Sequence, residues 1–184
     1  MQKIIFKSEN ELLDFFRMFK GKTLYELKNS LSEEAASSIN VNKGYAGQIF
    51  EVLTGRRPNN SEKPDIEELG IELKALPLKE VRNEEFVSKE RSKLKSINYV
   101  KMLSDDWSTA YLRTKIDKIL FNVYLHPDGY RFDEIKNLTF LDSFIFNLND
   151  RAEKKFIMRD WKKLKNEISS LKAHSISERM FKIL

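Results

Sequence analysis

The sequence predicts an α/β domain, a mixed central β-sheet flanked by helices. Three observations carry that reading. Capped helical patterns precede Gly55, and Ile71-Glu72-Leu73-Lys74-Ala75 alternates apolar and charged side chains as a half-buried strand does. Ile119 to Leu125 is nearly continuous in apolar residues, as a strand near the middle of a sheet is. A chain of 184 residues suits one domain and is long enough to bury a sizeable core.

Taken in order, Ser8-Glu9-Asn10-Glu11 has the capping-box pattern and opens a helix through Phe19, closed by Gly21. Thr23 and Glu26 repeat the pattern for a second, shorter helix. A third runs from Tyr45 to Thr54, with Ile49, Phe50, Val52 and Leu53 as its apolar stripe and Gly55 as its stop. The strand over Ile71 to Ala75 follows, then the strand over Ile119 to Leu125 and a His126-Pro127-Asp128-Gly129 turn. Phe140 to Leu148 reads as a further strand. Asn149 or Asp150 caps a long basic helix to Leu171, with Phe156, Ile157, Trp161, Leu164 and Ile168 facing inward, and Met180 to Leu184 reads as a last strand.

Charge and composition exclude several classes. The 33 basic and 28 acidic residues leave a net charge of +5. Arg151 to Leu184 alone holds ten Lys or Arg against four Asp or Glu, so the positive charge is concentrated there. Such a cluster suits a phosphate backbone, and it also suits a solvated helix face. The absence of cysteine removes disulfides, thiolate zinc sites and a Cys nucleophile, and two histidines cannot build a His-rich metal site. No apolar run is long enough for a membrane span or a signal peptide, so a soluble cytoplasmic protein is expected. Gly44 and Gly47 lack the Lys-Ser/Thr ending of a phosphate-binding loop, His126 sits in a surface turn, and His174 beside Ser175 has no third partner for nucleophilic catalysis.

The informative stretch is Lys63-Pro64-Asp65-Ile66-Glu67-Glu68-Leu69-Gly70-Ile71-Glu72-Leu73-Lys74. Glu72 and Lys74 leave one face of the strand while Ile71, Leu73 and Ala75 enter the core, and Gly70 lets the chain turn so that Asp65 can join them. Two carboxylates and an ammonium on one patch suit phosphodiester hydrolysis, since carboxylates hold Mg²⁺ and a lysine can orient water or stabilise developing negative charge. Glu-x-Lys is also what an ordinary solvated strand face shows, so the pattern alone leaves both readings open.

Its surroundings are more specific. Lys43-Gly44-Tyr45-Ala46-Gly47-Gln48-Ile49-Phe50-Glu51, Pro64-Asp65 and Glu68-Leu69-Gly70-Ile71-Glu72-Leu73-Lys74 together closely resemble the MutH-like family, which comprises the mismatch-repair nicking enzyme and related type II restriction endonucleases that cut at GATC. Val87-Ser88-Lys89-Glu90-Arg91 and Ile97-Asn98-Tyr99 resemble the restriction branch, while Lys115 to Phe121 and Arg159 to Leu164 match both branches more loosely. The similarity covers most of residues 20–184.

The resemblance implies a restriction-endonuclease-like PD-(D/E)xK fold and Mg²⁺-dependent cleavage of double-stranded DNA. Asp65, Glu72 and Lys74 fall on the catalytic triad, with the two acids as metal ligands, and Glu51 falls on an acidic helix residue that supports the site. Lys43, Lys89, Arg91 and Lys115 are the expected contacts to DNA, although lysines in a loop or before a strand are often only solvated. Strand nicking in mismatch repair, or a module that binds DNA without cutting, are the alternatives. In the relatives a base-reading segment follows the strand that Met180 to Leu184 would start, so residues 1–184 are expected to be the catalytic domain of a longer protein. Cutting a palindrome needs two active sites, which implies a dimer or sequential nicking.

Overall fold

The computed structural model describes residues 2–58, 61–81, 85–90, 97–127, 129, 132–170, 172 and 176. They divide into two compact units, Met1–Ser92 with Ile119–Phe146 and Lys93–Lys118 with Asn147–Leu184. The first unit is α/β and carries the candidate site.

Its helices form for local reasons that are visible in the chain. In α1 (Glu9–Arg17) the Ser8 hydroxyl accepts the Glu11 N–H, and Leu12 and Phe16, four apart, point inward. In α2 (Leu24–Asn29) the Thr23 hydroxyl accepts the Glu26 N–H while the Glu26 carboxylate accepts the Thr23 N–H, completing the capping box. The short α3 (Glu33–Ser37) is capped by Ser32. In α4 (Tyr45–Leu53), Tyr45, Ala46, Ile49, Phe50, Val52 and Leu53 are all buried, so most of its circumference is core.

Among the described residues the sheet has four strands in the order β2-β1-β3-β4: β1 (Glu72–Glu80), β2 (Phe86–Ser88), β3 (Lys118–Leu125) and β4 (Phe140–Asn147). β1 runs antiparallel to β2 and parallel to β3, with Glu72 beside Ile119 and Leu78 beside Leu125. The sheet is therefore mixed, and β3, read from sequence as near the middle of the sheet, is interior, as is β1, read as half-buried. Leu73, Leu120, Tyr124 and Phe140 join α1, α2 and α4 in one core, through which the rings of Phe6, Phe15, Phe16, Phe50 and Phe140 run edge to face or tilted at 5.3–6.1 Å.

In the second unit, α5 (Tyr99–Ser104) packs on α7 (Lys154–Ser169), and α6 (Tyr111–Ile116) lies between them in sequence. Trp107 meets Trp161 at 5.7 Å, and Lys165 Nζ donates to the Asp105 carbonyl at 2.5 Å.

Several boundaries differ from the expectation. β1 continues past Ala75 to Glu80 across Pro77. The Pro77 carbonyl accepts the Lys89 N–H, so the missing proline N–H would also face the β2 side, where the antiparallel ladder ends, and the ladder to β3 is not interrupted. The long basic helix starts at Lys154 rather than at a cap on Asn149 or Asp150, because Leu148–Asp150 forms a 3-10 turn capped by Asn147. Phe156 is only half-buried on α7, lying under Lys155 and Arg159 instead of in the core. The short α3, α5, α6 and β2 have no counterpart in the periodicity. The strand expected over Met180 to Leu184 and the residue His174 lie outside the described residues.

Candidate active site

Asp65 and Glu72 are brought together by a tight hairpin. Ile66 and Ile71 form an antiparallel bridge, each N–H donating to the other's carbonyl, at 2.9 and 3.1 Å. Both side chains are fully buried and anchor the hairpin in the core. Four residues close the turn, with Gly70 at φ +66°, where a residue with a β-carbon is disfavoured. One step outward on each arm are Asp65 and Glu72, so the register sets the two acids opposite each other.

Hydrogen bonds fix both. Asp65 Oδ2 accepts the Leu73 N–H at 2.9 Å, which ties the first arm to the start of β1. Glu72 is 5% exposed, and its Oε1 accepts from Lys74 Nζ at 3.1 Å. The lysine side chain is 23% exposed, so the ammonium sits at the edge of the pair with one side open. Strand alternation produces this contact, because residues two apart leave the same face.

Glu51, half-buried on α4, lines one open cleft of about 340 Å³ with Asp65. The helix that offers Glu51 is held by Ile49, Phe50, Val52 and Leu53, all in the core, as the apolar stripe predicts. Lys3, Arg56, Arg57 and Lys63 also line the cleft with Glu67, and each of these four cations is ion-paired to a glutamate.

The donor set fits Mg²⁺. Among the described residues no group of three or more Asp, Glu or His is gathered closely enough to hold a metal unaided. Two opposed carboxylates are nevertheless what Mg²⁺ commonly takes from protein, since it keeps several waters and draws further oxygens from substrate phosphate.

The described residues among the expected DNA contacts belong to different segments of the chain. Lys43 is exposed in the turn before α4. Lys89 is half-buried, with Nζ 2.6 Å from His126 Nδ1 and 3.4 Å from the Pro127 carbonyl, so neither Lys89 nor His126 is a simple surface residue. Arg91 lies outside the described residues. Lys115 is on α6 in the second unit, three residues before β3 begins, and is only 3% exposed. The apolar spacing of Leu112 and Ile116 turns that side of the short helix inward and takes Lys115 with it.

Two residues beside the site were not singled out in the sequence. Glu68, in the hairpin turn, and Arg56, just after Gly55, form an ion pair of 2.8 Å, with Arg56 8% exposed. Their twelve-residue separation matches no local period, so only the tertiary structure reveals it.

The family described as "DNA mismatch repair enzyme MutH" matches residues 54–160, more than half of the chain and the whole hairpin with Asp65, Glu72 and Lys74. The chain belongs to the MutH family. Its MutH-family relatives include the type II restriction enzyme Sau3AI of Staphylococcus aureus, 30% identical over 159 residues, or 86% of this chain and 31% of that protein. The DNA mismatch repair protein MutH of Actinobacillus pleuropneumoniae serotype 3 is 28% identical over 62% of this chain and 49% of its own length. MutH of Pasteurella multocida is 24% identical over 97% of this chain and 77% of its own length. The chain thus spans about a third of the restriction enzyme and about half of the first MutH protein. No helix among the described residues is long and apolar enough to cross a membrane.

Proposed function

We propose that this MutH-family chain is the catalytic part of a site-specific deoxyribonuclease that hydrolyses double-stranded DNA at GATC, belongs to the type II restriction branch and acts in the cytoplasm. The observation that carries the reading is the hairpin that opposes Asp65 to Glu72 and pairs Glu72 with Lys74 on the same strand face. The restriction branch is favoured by the resemblance of Val87 to Arg91 and by 30% identity to a restriction enzyme over 86% of the chain. Strand nicking in mismatch repair is the second reading, supported by the family description and by the MutH relatives. A dimer, or a further domain carrying the base-reading segment, would complete recognition of a palindrome.

Asp65 and Glu72 would hold Mg²⁺ through their carboxylate oxygens. Bound there, the ion would supply Lewis-acid polarisation of the scissile phosphate and a more acidic water. Lys74, with its ammonium steered by Glu72, orients the attacking water and offsets negative charge developing on the phosphoryl oxygens. Glu51 faces the same cleft as Asp65 and supports the acidic side of the site. Lys43, Lys89, Arg91 and Lys115 are the proposed contacts to DNA, Lys115 from a buried position on α6.

The test is cleavage of a duplex with one unmethylated GATC, each strand labelled separately, against a GATT control and the Asp65→Ala variant. Cutting of both strands at GATC alone, lost in the variant, is expected. A cut confined to one strand favours the nicking reading. Salt-sensitive binding without cleavage makes the chain a catalytic core that lacks its recognition or effector half.

A further inference from the structure

Two separate stretches of chain, residues 3–6 and Arg56, meet on the carboxylate of Glu68. Its Oε1 accepts the Phe6 N–H at 3.1 Å and Arg56 Nη2 at 2.8 Å, and its Oε2 lies 3.8 Å from Lys3 Nζ. Glu68 is in the turn closed by the Ile66–Ile71 bridge, whose next residues outward are Asp65 and Glu72. Arg56 follows α4, the helix of Glu51, and its Nη1 donates to the Thr54 carbonyl at 3.0 Å. That carbonyl also accepts the Ile4 N–H at 3.0 Å. The pair therefore joins the segment behind Glu51 to the turn between Asp65 and Glu72.

We propose that Glu68, through Arg56, is a positioning residue that sets the hairpin acids Asp65 and Glu72 against Glu51 for metal binding; this rests on the nuclease reading above. A purely stabilising role explains the arrangement less well. A buried ion pair can often be replaced by apolar residues at no loss of stability, and here it lies between the acid-bearing segments rather than in the core. Arg56 also keeps Nε buried without a hydrogen-bond partner, a cost that better stability alone would remove. Burial works to raise the Glu68 carboxyl, but the N–H groups of Glu68 itself and Phe6 and the Arg56 guanidinium together hold it below the usual glutamate range, so it is charged at neutral pH.

The test uses the full chain and the variants Glu68→Gln, Arg56→Lys and the charge-swapped Arg56→Glu/Glu68→Arg pair. The first readout is hydrogen exchange at the Leu73 amide, which reports whether Asp65 is in place. The second is Mn²⁺ binding, and the third is kcat and KM for GATC cleavage. In Glu68→Gln, Leu73 exchange should rise while the Leu120 amide in β3 is unchanged. Mn²⁺ affinity and kcat should each fall about tenfold with KM for DNA held, the usual scale for residues that orient metal ligands. Arg56→Lys should retain most activity, and the charge swap should recover part of what Glu68→Gln loses.

Wild-type Leu73 exchange and Mn²⁺ affinity in Glu68→Gln would overturn the proposal. So would faster exchange throughout the chain, which would reduce the pair to a general stabiliser. If the wild-type protein cuts no DNA, the nuclease reading fails, and Leu73 exchange with Mn²⁺ binding still decides the role of Glu68. Absence of Mn²⁺ binding in the wild type overturns both.

Discussion

The Asp65 carboxylate accepts the backbone N–H of Leu73 at 2.9 Å, so the first acid of the motif is fastened to the strand that presents the second acid and the lysine. One side chain thereby closes the mouth of the hairpin and lines the open cleft that Glu51 also lines. The six residues between Asp65 and Glu72 are the bridged Ile66 and Ile71 with the four residues of the turn, so the spacing is what sets the acids face to face.

That dual use separates two substitutions. Asp65→Asn keeps an oxygen for the Leu73 N–H and removes the charge, so cleavage should fall at least about 10²-fold with little change in stability. Asp65→Ala should lose cleavage and also about 1 kcal/mol, because the Leu73 N–H is left without its acceptor. Urea denaturation beside single-turnover cleavage rates checks both.

Gly55→Ala should destabilise the first unit by more than about 1 kcal/mol. Gly55 has φ +75°, and a β-carbon there would lie 2.0 Å from the Gln2 carbonyl oxygen and 2.8 Å from its carbon. The atoms met are all backbone of Gln2 and Lys3, so no side chain can move aside. Thermal melting should show the loss, with cleavage weakened as residues 2–6 are pushed off the Glu68 side of the cleft.

Acid should expose the Glu68 linkage. Its folded-state pKa is lowered, so the stability it contributes is present above the unfolded-state value of about 4.3 and is lost as pH falls through the lower folded-state value. Glu68→Gln should therefore flatten the fall of unfolding free energy with pH below about 4.3. Asp142, held down first by the Lys20 hydrogen bond, should leave a residual slope. Urea midpoints measured from pH 7 to pH 3 in both proteins decide it.

Phe50→Ala should cost about 3–5 kcal/mol, a large part of the stability of a small domain. The ring is 1% exposed and lies 6.1 Å from Phe16 and 5.4 Å from Phe140, so no neighbour can fill the space cheaply. Because Glu51 is the next residue, cleavage by the folded fraction should fall as well. Activity normalised to folded protein separates the two effects.

Local signals were legible where local chemistry decides. The reciprocal Thr23–Glu26 bonds, the stop at Gly55 and the buried run in β3 all follow from neighbours in sequence. The reach of β1 was not legible, because whether Pro77 ends a strand depends on which side its missing donor would face, and β2 and β3 settle that. The burial of Lys115 was not legible for a related reason: a lysine before a strand is ordinarily solvated, and the burial of Leu112 and Ile116 overrides that preference. In the site, Asp65, Glu72 and Lys74 stood out through spacing and resemblance. Glu68 did not, since its partners come from residues 3, 6 and 56 and no periodicity joins them.

The two compact units are interleaved along the chain, which passes from the first to the second after Ser92, returns at Ile119 and leaves again after Phe146. Neither unit is a contiguous stretch of gene. No single truncation yields the hairpin-bearing unit alone, and one proteolytic nick within 93–118 leaves each fragment holding part of both units. Subdivision of this protein therefore requires rejoining Ser92 to Ile119 by a designed linker, and recombination that exchanges one unit needs three crossovers where a simple tandem protein needs one.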